Sequence, residues 1–385
     1  MDSKDSAKNR YYFDWAASAI PEFSPSGLPF PFGNPSSLHH EGRAARQALD
    51  EARSRCAAVL GVPPETVYFT SGGTESNCIP LYSRLARQSG GRILACAAEH
   101  SSITENLRAL ERLGKPIGRI PIDSYGRTTA ALLAKTLEKY DDARFAAIMA
   151  VNNETGTIND MAALKDVLQK RDGPPIHLHC DMVQAAGKIP LDINGWGIDS
   201  ASFSAHKIGG PRGIGLLYLR RPLETLYTGG GQERNIRPGT ENVAGALVMT
   251  ACLENHALPE KLHTEYTQAR RRWKRLLGAL KAIGRCRLIP EERGTDDECF
   301  SPYIVQAAFR DVPGEVMARA LDDLGFAVST GSACSSASPE RPVLAAMGIG
   351  DSLSLEGIRL SQGWSTDDED IEHLLAAITE VLQFL

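Results

Sequence analysis

Short apolar segments alternate with helical segments through the N-terminal half of the chain, and this alternation limits the fold more than any other feature. Near-continuous apolar segments are typical of strands that are buried on both faces of a parallel sheet. Strands that alternate with helices predict βαβ units. We therefore expect an α/β fold with a mostly parallel sheet, whose strands lie in "TVYFTSG", "RILACAA", "RFAAIMAVN", "PIHLHCD", "SASFSA" and "GIGLLYLR".

The helical segments predict the domain organisation. Helical periodicity begins after Ser37, the expected N-cap, and stops at Gly61. After about residue 245 we expect one long amphipathic helix through "ALVMTACLENHALPEKLHTEYTQARRRWKRLLGALKAI", then the segment "YIVQAAFRD" and helices from "GEVMARALDDLG" and "DEDIEHLLAAITEVLQFL". The pattern predicts a large domain at residues 16–250 and a smaller α+β domain at residues 1–15 and 251–385.

The composition argues against several classes of protein. A net charge of −5 lacks the basic excess of nucleic-acid-binding proteins. No apolar run reaches the roughly 20 residues that span a bilayer, and the polar N-terminus lacks the apolar core of a secretory signal. The eight cysteines form no CxxC pair, so neither a zinc module nor a disulfide framework is expected. We expect a cytoplasmic protein without a metal, a nucleic-acid partner or a membrane partner.

Lys207 is the strongest candidate for chemistry. In "SFSAHKIGGPRGIGLLYL" it lies between two short strands, directly after Ser204 and His206. A lysine in this setting can form a Schiff base with a carbonyl cofactor, while the hydroxyl and the imidazole can hold a phosphate. A solvated loop lysine beside turn glycines explains this segment equally well when it is taken alone.

Asp181 makes the cofactor interpretation of Lys207 stronger. It follows the apolar segment "PIHLHCD", at the strand end where α/β proteins place ligand residues. A carboxylate there keeps a pyridinium nitrogen protonated, so that a pyridoxal phosphate ring can accept electrons from a substrate carbanion. Gln184 could reach the ring hydroxyl. The alternative for Asp181 is a helix N-cap.

Gly73 and Thr74 are candidates for a phosphate site. In "YFTSGGTESN" a strand runs into these two residues and a helix opens. Backbone amides at the helix start, together with the Thr74 hydroxyl, suit an anion. The segment is not a Walker loop, because no Gly-Lys-Ser/Thr sequence follows.

Three histidines near the predicted strand ends have different interpretations. His100, in "AAEHSSITENL", could lie flat on a cofactor ring or transfer a proton, or it could cap a helix or fill a gap. His177 and His179 alternate along one strand. We interpret both as structural, because no third metal ligand is evident.

Cys334 lies among small and hydroxylated side chains in "STGSACSSAS". A lone cysteine is more often structural than reactive. Beside a cofactor that activates an amino acid, the same segment would be a flexible arm that carries a thiol into the site. This interpretation predicts high mobility around residues 329–340.

Taken together, these segments resemble the cysteine desulfurase family, a pyridoxal-phosphate-dependent family of the class V aminotransferase group. The resemblance spans nearly the whole chain, and the motifs occur in the family's order. They are "FDWAAS", "GGTESN", "AEHSS", "VNNETGTIND", "DMVQAAGK", "SFSAHKIGGPRGIG", "GGGQERNIRPGTEN", "STGSACSSAS" and "IRLSQG".

The resemblance implies an aspartate aminotransferase-like fold, with an α/β/α large domain, and a role for each matching residue. Lys207 matches the lysine that attaches the cofactor and moves the substrate α-proton. Asp181 matches the partner of the pyridine nitrogen and Gln184 the partner of the phenolic oxygen. His100 matches the ring-stacking residue, and it is also our candidate acceptor for the thiol proton. The phosphate-binding positions are Gly73, Thr74, Ser204, His206 and Thr240.

The resemblance also implies a reaction and an assembly. Asn153 and Arg359 match the groups that hold the substrate carboxylate, a task that suits the arginine fork. Cys334 matches the nucleophilic thiol, which would take sulfur from L-cysteine as a persulfide and leave L-alanine. Thr240 matches a contact that the family supplies from the other subunit, which implies a homodimer. A sulfur-acceptor protein is expected, for iron–sulfur clusters, tRNA modification or another cofactor.

The sequence departs from the family pattern in four places. Trp15 replaces the usual Asn, and Met182 and Val183 follow Asp181 where smaller residues are usual. The segment after Cys334 is about one residue shorter than in relatives. The chain also stops soon after its last helix, so docking of an iron–sulfur scaffold protein is left open. Selenocysteine lyase, another class V aminotransferase or lyase, and a non-catalytic binding subunit are the alternative functions.

Overall fold

The computed structural model describes residues 10–22, 30–86, 90–331 and 341–385. The chain forms two compact units. The larger unit contains residues 18–152 and 157–265, and the smaller unit contains residues up to 17, residues 153–156 and residues 266–385. One of the boundaries between them, at residues 265–266, falls inside a helix.

The strands, in chain order, are β1 (Tyr11–Tyr12), β2 (Val67–Thr70), β3 (Arg92–Cys96), β4 (Ile117–Ile120), β5 (Ala143–Ala147), β6 (His177–Asp181), β7 (Ser200–Ser204), β8 (Gly215–Leu219), β9 (Cys286–Ile289), β10 (Ile304–Phe309), β11 (Phe326–Ala327) and β12 (Gly357–Ser361). The α-helices are α1 (His40–Leu60), α2 (Gly73–Ala86), α3 (Ser101–Arg112), α4 (Ala130–Lys139), α5 (Met161–Lys170), α6 (Val243–His256), α7 (Pro259–Ala282), α8 (Gly314–Asp323), α9 (Pro342–Ala346), α10 (Asp351–Leu355) and α11 (Asp368–Phe384). Among the described residues, no helix is both long and apolar enough to cross a membrane.

The larger unit is built on a sheet with the strand order β2-β8-β7-β6-β5-β3-β4. Neighbours from β7 to β4 pair in parallel, and β8 runs antiparallel to both β7 and β2. The predicted α/β fold with a mostly parallel sheet is therefore confirmed. Because β2, β3, β5, β6 and β7 run in the same direction, their carboxyl ends lie along one edge of the sheet, where α/β proteins bind ligands.

Helix α1 begins later than the sequence pattern indicated. Ser37 was the expected N-cap, but its backbone amide closes a turn onto the Asn34 carbonyl at 2.9 Å. His39 caps the helix instead, since its Nδ1 accepts from the Gly42 amide at 3.3 Å. The predicted stop is correct: Gly61 has a φ of 65°, the left-handed conformation that glycine adopts without strain.

The long helix expected after residue 245 is two helices. Helix α6 ends at His256, where the Ala257 amide still bonds to the Leu253 carbonyl at 2.8 Å. Helix α7 then starts at Pro259. Proline has no amide hydrogen and moves the residue before it away from helical geometry, so it begins a new helix and cannot continue the old one.

The smaller unit contains the antiparallel sheet β12-β10-β9 and the parallel pair β1-β11. Its apolar core lies between the antiparallel sheet and helices α7, α8 and α11. The residues of that core include Trp273, Leu288, Val305, Phe309, Met317, Ile358 and Ile378.

A buried ion pair in the larger unit fixes the loop that leads to Thr240. Both guanidinium Nη atoms of Arg53 donate to the two carboxylate oxygens of Glu233 at 2.7 Å. The same carboxylate accepts from the Phe69 amide at 2.8 Å. Glu233 and the next two residues all have left-handed backbones, with φ of 45°, 53° and 65°. Such a run costs backbone energy, which the paired carboxylate helps to offset.

Candidate active site

The carboxyl edge of the large sheet brings five predicted residues into one region. Gly73 and Thr74 open helix α2 after β2, His100 precedes α3 after β3, and Asp181 ends β6. Lys207 lies in the short turn Ala205–Lys207 directly after β7.

His100 shares an electrostatic environment with the predicted cofactor residues. Burial is the largest influence and lowers the pKa of His100, the charge of Asp181 raises it, and that of Lys207 lowers it again. His100 therefore lies close enough to Asp181 and Lys207 for both charges to shift its pKa. Its Nδ1 accepts from the Ser102 amide at 3.1 Å, so the histidine does cap helix α3, one of the alternatives weighed above.

This cap also determines where the His100 proton lies. Ser102 contributes its amide at 3.1 Å and its hydroxyl at 2.8 Å to Nδ1. In the neutral ring the proton is then on Nε2, which makes that atom a donor. The predicted role of His100 as acceptor of the thiol proton would require this proton to leave Nε2 first.

Asp181 is 5% exposed and is held by two hydrogen bonds. The Asn77 side-chain amide donates to Oδ2 at 2.7 Å, and the Val183 backbone amide donates to Oδ1 at 2.9 Å. Residues 183–187 form turns, so Asp181 does not cap a helix. Each carboxylate oxygen keeps acceptor capacity for one further donor.

The predicted phosphate residues form a cradle with a positive environment. Ser204 Oγ lies 2.9 Å from His206 Nδ1. A Cβ on Gly73 would lie 2.8 Å from Val183 Cγ2 and 3.5 Å from Ser204 Cβ, so only glycine lets the start of α2 come this close. Burial first, then the charges of Lys207, Arg212, Lys188 and His100, lowers the pKa of His206 to about 4. An anion bound here would be favoured by the helix start and by the charges of Lys207, Arg212 and Lys188.

Gln184 has a buried lysine as its neighbour, which the sequence reasoning missed. Lys188 is 2% exposed and donates from Nζ to Gln184 Oε1 at 2.8 Å. The carbonyl end of the Gln184 amide is thus used by the lysine, and the Nε2 end is the donor end. The sequence carries no signal for this pair, because a four-residue spacing predicts contact on a helix and residues 183–187 form turns.

Other buried polar residues near Asp181 were also missed. Glu99 is 5% exposed, and its Oε1 accepts from the Met149 amide at 2.6 Å. Burial and then the charge of Asp181 raise the pKa of Glu99 well above its usual value. Its Oε2 has no hydrogen-bond partner among the described residues. No group of three or more His, Cys, Asp or Glu within the described ranges could hold a metal.

Arg359 is the centre of a polar group in the smaller unit. It is 1% exposed on β12 and donates from Nη1 to the Asn153 carbonyl at 2.9 Å and from Nη2 to Asp14 at 2.7 Å. In the part of the chain that the structure describes, its Nε finds no partner. A buried donor without a partner costs about 1–3 kcal/mol, so an arginine in this state suits a carboxylate ligand.

Known proteins are similar to this chain over most of its length. The family model for aminotransferase class-V matches residues 31–374. A NifS/IcsS protein homolog of Lactobacillus delbrueckii subsp. bulgaricus is 38% identical over 91% of this chain and 90% of its own length. The cysteine desulfurase IscS of Dictyoglomus turgidum is 35% identical over 98% and 96%. A solved NifS-like protein superposes with a TM-score of 0.88 at 31% identity, covering 98% of this chain and all of the other.

The chain belongs to the cysteine desulfurase family of class-V aminotransferases. Families of this kind depend on pyridoxal phosphate, and the predicted resemblance is confirmed. The similarity of the NifS-like structure also confirms the predicted fold.

Cys334, the predicted thiol of this desulfurase-family chain, lies outside the described residues, as does most of the segment predicted to be mobile. The residues that precede it are described. Ser329 pairs with Arg359 through backbone hydrogen bonds in both directions. On the far side of the segment, Arg341 donates to the Thr330 carbonyl. Ser329 is therefore held by Arg359, and the residues on the two sides of the segment are joined by the hydrogen bond between Arg341 and Thr330.

Thr240, which the family resemblance assigns to a neighbouring subunit's phosphate, is exposed in this chain. It follows the loop that the Arg53–Glu233 pair anchors. Arg237 in the same loop approaches Glu75 of helix α2 at 3.2 Å. An exposed Thr240 is compatible with a contact to another subunit.

Trp15, where the family usually has Asn, is buried in the smaller unit. Its ring lies edge-on to Trp364, with centroids 5.6 Å apart. A Cβ on Gly363 would overlap the Trp15 ring, so the absence of a side chain at 363 makes room for the tryptophan. Trp15 is a packing residue in this unit.

Proposed function

We propose that the protein is a pyridoxal-phosphate-dependent cysteine desulfurase that converts L-cysteine to L-alanine and forms a persulfide on Cys334. One observation carries the proposal: His100 follows β3, Asp181 ends β6 and Lys207 follows β7, so these three groups lie at the carboxyl edge of the same sheet. This is the arrangement that attachment, activation and stacking of a pyridoxal ring require.

The residues present fit the cofactor. Lys207 would attach it, Asp181 would accept a hydrogen bond from its ring nitrogen, and Gln184 would donate to its phenolic oxygen. The phosphate would lie against the start of helix α2, with ligands from Gly73, Thr74, Ser204 and His206. The glycine cradle and the cations around His206 support this placement. When bound, pyridoxal phosphate supplies an electron sink for the substrate α-carbon.

Arg359 and Asn153 would hold the carboxylate of L-cysteine. The Nε atom of Arg359 has no partner among the described residues, and it belongs to the side of the guanidinium that can bind a carboxylate with two hydrogen bonds. The nearby carbonyl of Asn153 and the carboxylate of Asp14 fix the plane of the guanidinium. The substrate is thereby oriented before chemistry begins.

Two of this chain's residues would manage protons at defined atoms. The Lys207 amine removes the proton from the substrate α-carbon and later returns a proton. Asp181 keeps the proton on the ring nitrogen, because its carboxylate is the acceptor there.

Transfer of sulfur from the substrate to Cys334 would follow. The Cys334 thiolate attacks the substrate sulfur, a sulfur–sulfur bond forms, and the bond between that sulfur and the β-carbon breaks. The β-carbon keeps the electron pair of the broken bond and takes up a proton, which makes it the methyl group of alanine, so the carbon is reduced while the sulfur pair is oxidised. No external oxidant is needed, and only the thiolate form of Cys334 is reactive.

The assembly and setting are also proposals. A homodimer would let the exposed Thr240 reach the phosphate of the neighbouring subunit. A cytoplasmic location keeps the thiols reduced, and a sulfur-acceptor protein would take the persulfide sulfur. The predicted domains at residues 16–250 and at 1–15 with 251–385 stay a prediction.

The test is to incubate the purified protein with L-cysteine and a dithiol reductant while alanine and sulfide are measured together. We expect equal amounts of the two products, and we expect Cys334→Ala to stop sulfide release while it keeps the yellow cofactor absorbance. Unchanged alanine and sulfide output from that variant would overturn the proposed nucleophile. A colourless protein that cannot be reconstituted would favour a binding subunit, and much faster turnover of selenocysteine would favour a lyase.

A further inference from the structure

Asn77, in the second turn of helix α2, uses every polar atom of its side chain. It is 1% exposed. Its Nδ2 donates to Asp181 Oδ2 at 2.7 Å and to Ser102 Oγ at 2.8 Å. Its Oδ1 lies 2.8 Å from His179 Nε2. Because a carboxylate can only accept, the nitrogen of Asn77 must face Asp181 and the oxygen must face His179.

The histidine behind Asn77 therefore has a defined tautomer. His179 is fully buried, and burial lowers its pKa to about 3, so the ring is neutral. Its Nε2 carries the proton that Asn77 Oδ1 accepts. Its Nδ1 must then accept from Ser200 Oγ, which lies 2.8 Å away. The second side of Ser200 Oγ lies 2.7 Å from His177 Nε2.

On the other side of Asn77, the same direction of donation continues to His100. Ser102 Oγ accepts from Asn77, so its own proton points to His100 Nδ1 at 2.8 Å. Each group thus donates to the next, from Ser200 through His179 and Asn77 to Asp181, and from Asn77 through Ser102 to His100. Hydrogen bonds aligned in this manner polarise and strengthen one another inside a protein.

We propose that Asn77 and His179 are positioning residues, which aim the Asp181 carboxylate at the cofactor ring nitrogen and fix the tautomer of His100. The inference rests on the proposed function, since it assigns a role toward the same cofactor. From the sequence, His177 and His179 are interpreted as structural because no third metal ligand is evident. The hydrogen bonds of the buried His179 ring to Asn77 and Ser200 give it a specific role.

The arrangement also links three parts of the site through one element. Helix α2 begins at the phosphate cradle and carries Asn77 four residues after Gly73. Asn77 then reaches the end of β6 at Asp181 and the start of α3 at Ser102. A shift of α2 would move the phosphate ligands and the carboxylate together, so the ring is held at both ends by connected groups.

The test is NMR of the protein loaded with cofactor that carries a heavy-nitrogen label in its ring, in the absence of cysteine. We expect a protonated ring nitrogen in the wild type. In Asn77→Leu and His179→Leu we expect the signal to move toward the unprotonated position. Removing one charge-assisted hydrogen bond should also lower kcat for alanine about tenfold or more, with KM for cysteine unchanged.

Two controls separate positioning from packing. His179→Gln puts an amide nitrogen where Nε2 was, keeps the donor to Asn77, and should restore both the ring signal and kcat. Leu178→Val removes packing from the same strand without a hydrogen bond, and it should leave the ring signal unchanged. If either Leu variant fails to fold, the other still decides the question.

The outcomes are distinct from those of the proposed function. A wild-type signal in a cofactor-loaded Leu variant, or a His179 ring protonated on Nδ1 in the wild type, would overturn the positioning role. A wild type with a protonated ring nitrogen that releases no alanine would overturn the desulfurase proposal alone. A protein that binds no cofactor would overturn both.

Discussion

Arg359 shows how much a single side chain can determine in this protein. Its guanidinium is planar and offers five donors in a fixed pattern, of which the Asn153 carbonyl and Asp14 use part. Its Nε lacks a partner within the described residues. A lysine has the same charge but a single donor atom, so it cannot serve two protein acceptors and a carboxylate in one plane.

We expect Arg359→Lys to raise KM for L-cysteine by about 10- to 100-fold, because a hydrogen bond to a charged group contributes about 1.5–3 kcal/mol. The value of kcat should change less, since the reacting atoms are elsewhere on the substrate. Steady-state alanine formation measures both. The matched control is Arg287→Lys on β9, an exposed arginine paired with Glu291. Equal KM values for Arg359→Lys and the wild type would show that the guanidinium does not bind the carboxylate.

At the residue scale, the sequence indicated the residues that end strands and missed those that support them. Asp181 follows an apolar segment, and this order alone places it at the edge of a parallel sheet. Asn77 and Lys188 carry no such signal, since their roles depend on which face of one element meets another. Cys334 lies outside the described residues, so its role stays a prediction.

At the scale of elements, the approach of helix α2 to the end of β6 depends on one pair of residues. Position 73 has no space for a side chain, because a Cβ there would lie 2.8 Å from Val183 Cγ2. The larger residue after Asp181, a departure from the family pattern, is thus accommodated by a missing side chain on the helix. Val183 also donates its backbone amide to Asp181 at 2.9 Å, so a displacement of Val183 would also displace the Asp181 carboxylate.

We expect Gly73→Ala to weaken cofactor binding and to destabilise the protein by about 1–3 kcal/mol, the usual cost of overpacking. Val183→Ala should remove the overlap, so the double variant should recover most of both losses. Cofactor dissociation and chemical unfolding of the four proteins give the coupling energy. Simple addition of the two single effects would contradict the proposed contact.

The elements themselves were mostly predictable, and the errors have local causes. All six expected strands of the large sheet are present, because buried parallel strands are recognisable as apolar runs. Strand β4 was missed, since "IGRI" is short and contains an exposed arginine. The break between α6 and α7 was missed because periodicity hid the effect of Pro259.

At the scale of the whole molecule, a buried histidine ties distant parts of the larger unit together. His256, at the end of α6, lies 2.8 Å from Glu22 and 3.1 Å from Glu265. Glu22 donates its backbone amide to the Gly209 carbonyl at 3.0 Å, close to Lys207. Burial lowers the pKa of His256, but hydrogen bonds and charge from the two carboxylates outweigh it, so the net shift is upward from 6.5.

This shift predicts a pH dependence of stability with a definite sign. The protonated His256 stabilises the folded state fully below about pH 6.5, its ordinary value, and this contribution is lost as the pH rises through the raised folded value. The difference in melting temperature between the wild type and His256→Gln should therefore shrink from pH 6 to pH 9. His263→Gln, at an exposed histidine, is the control. A difference that grows with pH would contradict the assignment.

The pairing of Trp15 with Gly363 limits the order in which these two positions can change during evolution. Any side chain at 363 would collide with the indole, so a lineage that carries Trp15 can accept only glycine there. A smaller residue must appear at position 15 first, and it would leave a void beside Trp364 until position 363 gained a side chain. Position 15 must therefore change before position 363, and the intermediate between the two well-packed pairs of residues contains a cavity.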